Sequence, residues 1–78
     1  MSMFTITENI KDGILEIQFS SHKTDNKFYQ IISNSGHVLK QGKITGNTQR
    51  TCLYVGDLKK GSYTFKLDEA TIKAFNIL

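Results

Sequence analysis

The feature that most constrains the fold is the motif Leu58-x-x-Gly61-x-Tyr63, which opens a stretch of alternating large apolar residues. Tyr63, Phe65 and Leu67 would share one face of a strand, because successive side chains of a strand point to opposite faces. At the start of a late strand in a Greek-key β-sandwich, a tyrosine hydroxyl can bond to the backbone just upstream, which is called a tyrosine corner. Gly61 permits the positive φ that such a sharp turn requires. The motif therefore predicts architecture and carries no chemistry.

The rest of the chain reads as short strands separated by turns. Trp and Pro are absent, and β-branched and aromatic residues are plentiful, as is typical of strands. About seven strands are predicted, over residues 4–10, 14–19, 27–33, 37–44, 48–55, 62–67 and 71–78. A short helix over 68–75 is the alternative for the last of them. No segment is long enough for crossover helices, so the pattern indicates one domain over residues 1–78, an all-β, immunoglobulin-like antiparallel sandwich with Greek-key connections.

Glycine and asparagine mark the predicted turns. The pair Asp12-Gly13 is a strong signal for a hairpin between the first two strands. Further turns are predicted at Gly36 and at Gly46-Asn47, because both residue types tolerate positive φ.

Three strands carry more specific expectations. Leu15, Ile17 and Phe19 alternate with polar residues and should share a buried face. Strand 27–33 has bulky residues on both faces, which favours a central position in its sheet. Gly42 lies inside strand 37–44 and predicts a bulge or bend there.

Charge and composition exclude several classes of protein. The chain has ten Lys and Arg residues and seven Asp and Glu residues, which gives a net charge of +3. The only two basic residues that are adjacent in sequence are Lys59 and Lys60. A nucleic-acid surface needs clustered cations with aromatic residues beside them, so no nucleic acid is expected as a partner. No apolar run reaches the length of a membrane span, and residues 1–4 lack the features of a signal peptide. The chain is expected to be cytoplasmic if Met1 is the native start, and otherwise to be one domain of a longer exported protein.

No catalytic or metal-binding constellation is recognisable. The residues that could act as nucleophile, base or metal ligand are His22, His37, Asp25 and Cys52. Their spacing matches no metal motif, and no carboxylate can be assigned to orient either histidine. Cys52 lies between apolar neighbours and is expected to be a buried structural thiol that cannot form an internal disulfide. Asp57 and Asp68 are expected to form turn hydrogen bonds and not a calcium site. No enzyme activity and no cofactor are predicted.

Aromatic residues give an alternative function, a free-standing protein-interaction or carbohydrate-binding module. The candidates for such a face are Phe28, Tyr29, Tyr54, Tyr63 and Phe65. Most lie at strand spacing and are expected in the core. Tyr54 is the best exposed candidate, because it shares a face with Cys52 and Arg50.

From Gly13 to about Ile77, the order of motifs resembles the carboxy-terminal sorting domains of type IX secretion substrates in Bacteroidota. The segments that carry the resemblance are Asn34-Ser35-Gly36-His37-Val38-Leu39-Lys40, Gly42-Lys43-Ile44-Thr45-Gly46-Asn47 and 58–67. The positions that match the pattern of the family are Gly36, Gly46, Asn47, Leu58, Gly61 and Tyr63.

The resemblance implies a non-catalytic address label, secreted or at the cell surface as part of a longer chain. The outer-membrane secretion machinery would be its partner, and the domain would then be cleaved or exchanged for a surface anchor. The closing strand is the expected recognition element, with the candidate residues Thr71, Ile72, Lys73, Phe75 and Ile77. Unpaired backbone groups at a sheet edge can bind an extended partner by β-augmentation.

Overall fold

The structure is a computed structural model that describes residues 4–20, 25–68 and 71–78. All regular secondary structure in these ranges is β-strand. In chain order the strands are β1 (Phe4–Ile6), β2 (Asn9–Ile10), β3 (Ile14–Phe19), β4 (Lys27–Ser33), β5 (Val38–Ile44), β6 (Arg50–Tyr54), β7 (Gly61–Leu67) and β8 (Thr71–Ile77). The last segment is a strand and not the alternative helix. Strands are present in all seven predicted segments. The described ranges contain eight strands, because the segment 4–10 forms two short strands instead of one.

The strands form two sheets that pack as a sandwich. The smaller, three-stranded sheet has the order β1-β3-β6, and the larger, five-stranded sheet has the order β2-β8-β7-β4-β5. β4 lies between β7 and β5, which confirms the central position predicted for it. The chain changes sheets after each of the first three strands, and again after β5 and after β6. This architecture is the predicted immunoglobulin-like β-sandwich.

The segment Phe4–Ile10 is not the single strand that its alternation predicts. β1 pairs antiparallel with β3 in the smaller sheet, whereas β2 pairs parallel with β8 in the larger one. A single strand would place Glu8 on the same face as Phe4 and Ile10, which are both fully buried. Dividing the strand leaves Glu8 exposed. Residues 11–13 therefore cross between sheets. β1 and β3 do pair antiparallel, but β2 lies between them in the chain, so Asp12-Gly13 does not join directly paired strands as the predicted hairpin requires. The parallel pairing of β2 also means that the sandwich is not purely antiparallel.

The core lies between the sheets and is built from residues of both. Leu15, Ile17 and Phe19 share the buried face of β3, as their alternation predicts. The Phe4 ring lies between the sheets, with its centroid 5.7 Å from that of Phe65 and 6.1 Å from that of Phe19. The buried apolar residues are Phe4, Ile10, Leu15, Ile17, Phe19, Ile31, Ile44, Val55, Phe65, Leu67, Phe75 and Ile77. Burying each such side chain contributes roughly 1.5–3 kcal/mol.

Gly42 has a different role from the predicted bulge. The shift in register between β4 and β5 lies between Ile31 and Ile32, away from Gly42. Gly42 pairs with Tyr29, and a Cβ at Gly42 would come within 2.8 Å of the Tyr29 side chain. The glycine leaves room for the Tyr29 ring, which stacks on Phe65 at a centroid distance of 6.0 Å. Cross-strand packing of an aromatic ring over glycine thus explains this position better than a bend.

Candidate functional site

The loop between β6 and β7 forms the predicted corner. The Tyr63 hydroxyl donates a hydrogen bond of 2.6 Å to the carbonyl oxygen of Lys59. The Leu58 N–H donates to the carbonyl oxygen of Val55 at 3.0 Å, which closes the turn that precedes it. Gly61 begins β7 with φ at +146°. These contacts confirm the tyrosine corner, and they are structural.

An ion pair ties this corner to the edge of the larger sheet. The Lys40 ammonium donates to a carboxylate oxygen of Asp57 at 3.1 Å, from β5 to the loop. The hydrogen bond from Lys40 lowers the pKa of Asp57 below its ordinary value of 3.8. The Asp57 side chain is more than half exposed. Exposed pairs contribute little to stability, so this contact orients the loop more than it holds the fold.

The other glycine and asparagine positions of the sorting-domain pattern are turn positions. Gly36 and Asn47 have φ at +93° and +69°, as predicted for turns. The Gly36 N–H donates to the carbonyl oxygen of Ser33 at 2.9 Å. The Gly46 N–H donates to Oδ1 of Asn26 at 2.7 Å and so joins two loops that are distant in sequence. These residues shape the scaffold.

The closing strand β8 separates its recognition candidates into two groups. The candidates are Thr71, Ile72, Lys73, Phe75 and Ile77. Phe75 and Ile77 belong to the core, with exposed fractions of 1% and 9%. Ile72 points to solvent from the outer face of the larger sheet and is 64% exposed. Thr71 and Lys73 are half-buried. Of this set, Ile72 offers the accessible side chain.

A groove runs between β1 and the first half of β8. Lys73 faces inward across it, with Nζ 5.2 Å from the centroid of the Phe4 ring. The other groove-lining residues are Thr5, Ile6, Glu8 and Ala74, around a cavity of about 240 Å³. An ammonium over an aromatic ring is favourable, and here it also leaves a charge on the inner face of a sheet edge.

The edge of β8 that borders this groove is only partly covered. β2 pairs with Asn76 and Ile77 at the end of the strand. The Asn76 N–H donates to the carbonyl oxygen of Glu8 at 2.7 Å. Backbone groups of alternate residues point to the same side of a strand, so those of Ile72 and Ala74 face the groove. Within the described residues these groups have no backbone partner.

Cys52 is exposed, and the prediction of a buried thiol was wrong. Thr51 and Leu53 share the other face of β6 with Val55, the residue that directly follows the strand and is fully buried. Because side chains alternate, the burial of Val55 directs Cys52 to the outer face of the smaller sheet. The alternation was visible in the sequence, but it did not say which face is buried.

The remaining polar candidates lie in turns. His37 has its Nδ1 3.4 Å from the Ser35 hydroxyl, in the turn before β5. Asp68 lies in the turn after β7, but its carboxylate accepts a hydrogen bond of 3.0 Å from the N–H of the distant Phe28, so this bond is not the local turn hydrogen bond that was predicted. Asp25 is exposed, and His22 lies outside the described residues. Among the described residues, no three or more His, Cys, Asp or Glu side chains form a group that could hold a metal ion.

Two aromatic side chains are prominently exposed, Phe28 at 61% and Tyr54 at 63%. Tyr54 was the expected candidate, but its ring lies against the backbone of Gly56, where a Cβ would come within 2.7 Å of it. Phe28 instead borders a shallow cavity of about 700 Å³ on the outer face of the larger sheet. The other candidates pack against the core or belong to it: Tyr29, Tyr63 and Phe65. Sequence reasoning undervalued Phe28, because its strand carries bulk on both faces.

The molecule thus presents a partly open sheet edge and an exposed sheet face on an immunoglobulin-like β-sandwich. A comparison with known protein families matches residues 9–77 to the secretion system C-terminal sorting domain, and the chain belongs to this family. The match confirms the resemblance to type IX sorting domains of Bacteroidota. It is not an enzyme family. No curated protein matches the chain. In the described ranges, no helix has the length and apolarity to span a membrane.

Proposed function

We propose that this domain is the address label of a longer exported protein, read by the outer-membrane machinery of type IX secretion. Membership of the sorting-domain family is the observation that carries the proposal. A label of this kind needs a stable scaffold and an accessible surface, and it needs no reacting groups. The protein that carries it is delivered to the cell surface or to the medium.

The closing strand supplies the recognition surface in this proposal. Ile72 presents its side chain to solvent, and the backbone groups of Ile72 and Ala74 face an open groove. An extended segment of the machinery can pair with these groups by β-augmentation. Lys73 supports the idea, because an inward-pointing charge at a sheet edge discourages uncontrolled pairing with other chains. The edge is therefore open to a specific partner and protected against aggregation.

An export assay tests the proposal. The domain is fused behind a signal peptide and a reporter protein and expressed in a host with type IX secretion. We expect the reporter at the cell surface or in the medium. Deleting residues 71–78 should abolish export, because it removes β8 and exposes the strands β7 and β2 that pair with it. If the intact fusion stays in the periplasm while an established sorting domain exports the same reporter, the address-label proposal is wrong.

Two point variants separate recognition from folding. Ala74→Pro removes an N–H that faces the groove and places the proline ring at the open edge, where proline is tolerated. Ile72→Asp replaces an exposed apolar side chain with a charge. Losing one or two contacts of about 1 kcal/mol each should reduce export roughly fivefold or more, with the melting temperature little changed. Ile14→Asp, at an exposed position of the smaller sheet, is the matched control. Full export of both β8 variants would show that the machinery recognises another surface of the domain. The address-label function itself would not be contradicted by that result.

A further inference from the structure

The outer face of the larger sheet carries a second polar and aromatic surface, away from the open edge of β8. We call it the Phe28 surface, and it consists of Phe28, Gln30, Gln41, Lys43 and Lys66. These residues border the cavity of about 700 Å³, together with Tyr29, Gly42 and Asp68. Tyr29 turns its ring inward onto Phe65, so the outward-facing side chains are those of the Phe28 surface.

Sheet register brings these side chains together. Phe28 pairs with Lys43 and Gln30 pairs with Gln41 between β4 and β5, and Gln30 pairs with Lys66 between β4 and β7. Side chains on directly opposite residues stand about 4.5–5.5 Å apart at Cβ. One exposed aromatic ring is therefore flanked by two amides and two ammonium groups on a single face.

The surface has an excess of positive charge. Within the described residues, neither Lys43 nor Lys66 forms an ion pair. Among the described residues that line the cavity, the carboxylate is that of Asp68, which lies 3.4 Å from the ammonium of Lys27 and accepts a hydrogen bond from the Phe28 N–H. The negative charge of Asp68 is thus already balanced by Lys27, which is not part of the Phe28 surface. Lys43 and Lys66 are left to interact with an anionic ligand.

We propose that the Phe28 surface binds an acidic oligosaccharide, one that contains sugar units with carboxylate groups. The C–H face of a sugar ring is apolar and flat, so it can lie on an exposed aromatic ring and remove apolar surface from water. The amides of Gln30 and Gln41 can both donate to and accept from sugar hydroxyls. Lys43 and Lys66 can each donate charge-assisted hydrogen bonds to a carboxylate.

The backbone argues against an extended peptide as the ligand here. β4 is paired on both sides, with β5 and β7, so its N–H and C=O groups are engaged in the sheet. The open backbone edge of β5 lies at the side of this surface, so a ligand that lies over Phe28 meets side chains and not free backbone groups. Phe28 projects from the surface with 61% of its area exposed, which suits stacking on a ring better than anchoring a buried side chain. This proposal does not rest on the address-label function, because it concerns a different surface.

A nuclear magnetic resonance titration of the isotope-labelled chain tests it. The probe is tetragalacturonate, and its fully methyl-esterified form is the neutral counterpart. We expect shifts confined to residues around the Phe28 surface, with millimolar affinity and binding of the ester several-fold weaker. Phe28→Ala should weaken binding of both probes about tenfold. Lys43→Gln and Lys66→Gln should weaken binding of the acidic probe only.

Matched controls use exposed residues away from this surface. Tyr54→Ala removes a similarly exposed ring from the other sheet, and Lys59→Gln removes a cation from the corner loop. Neither should change binding. The proposal is overturned if tetragalacturonate shifts no resonances, if the variants of the Phe28 surface bind as the unmodified chain does, or if a tetraglutamate peptide shifts the same resonances with equal affinity. The last result would identify a general anionic surface or a site for acidic protein segments.

Discussion

The corner before β7 and the closing strand β8 lie close together in sequence, yet different kinds of contact hold them. The corner is held by neighbours: Tyr63 bonds to Lys59, and Leu58 bonds to Val55. β8 depends on distant segments as well, because β2 at the other end of the chain pairs along its last residues. A local motif can therefore specify the corner, whereas β8 pairs with its chain neighbour β7 on one side and needs a segment from the other end of the chain on the other.

The two regions also differ in what they present to solvent. In the corner, the Tyr63 hydroxyl is used within the fold. In β8, alternate residues serve different purposes, since Phe75 is buried while Ile72 is 64% exposed. A strand with one side in the core can thus stabilise the domain and still offer a surface for recognition. The corner contributes stability alone.

The largest expected effect contrasts the two faces of β8. Phe75→Ala should destabilise the domain by about 3–5 kcal/mol, because it removes a fully buried ring and leaves a cavity. Ile72→Ala should change the free energy of unfolding by less than about 0.5 kcal/mol, because the side chain is exposed. Urea denaturation followed by circular dichroism measures both. Similar losses for the two variants would contradict the division of β8 into a core face and a free face.

A smaller effect is expected at the corner glycine. Gly61→Ala should cost about 1–3 kcal/mol, because φ at this residue is +146° and L-residues rarely adopt such values. Among the described residues other than its two chain neighbours, none has an atom within 4 Å of the position that a Cβ would take, so the cost should come from backbone strain and not from a clash. Thermal unfolding measures the loss, with Lys60→Ala in the same loop as control. An unchanged stability would show that the corner does not require glycine.

The smallest effect should come from the corner hydroxyl. Tyr63→Phe keeps the ring and removes the hydrogen bond to Lys59, so we expect a loss of about 0.5–1.5 kcal/mol. Tyr54→Phe removes an exposed hydroxyl and should have almost no effect. Chemical denaturation of the two variants side by side gives the difference. If both variants lose equally little, the bond of the tyrosine corner adds nothing to stability.

Several features of the candidate surfaces could be predicted from the sequence, because they depend on local chemistry. The corner follows from Leu58, Gly61 and Tyr63, and the turns at Gly36 and Asn47 follow from residues that tolerate positive φ. The position of β8 as a final strand was also predicted. Which of its residues are accessible was not, because alternation alone does not identify the core face of a strand.

The sequence by itself determined the all-β class, the strand positions and the corner, since period-two alternation and turn residues act over a few residues. Only the tertiary structure decided that residues 4–10 divide between two sheets, that Cys52 faces solvent, and that Gly42 makes room for Tyr29. It also decided that the open edge of β8 lies beside β1. These outcomes depend on which distant strands become neighbours in each sheet. That pairing is fixed only when the two sheets pack together and bury residues such as Phe4 and Val55 in one core.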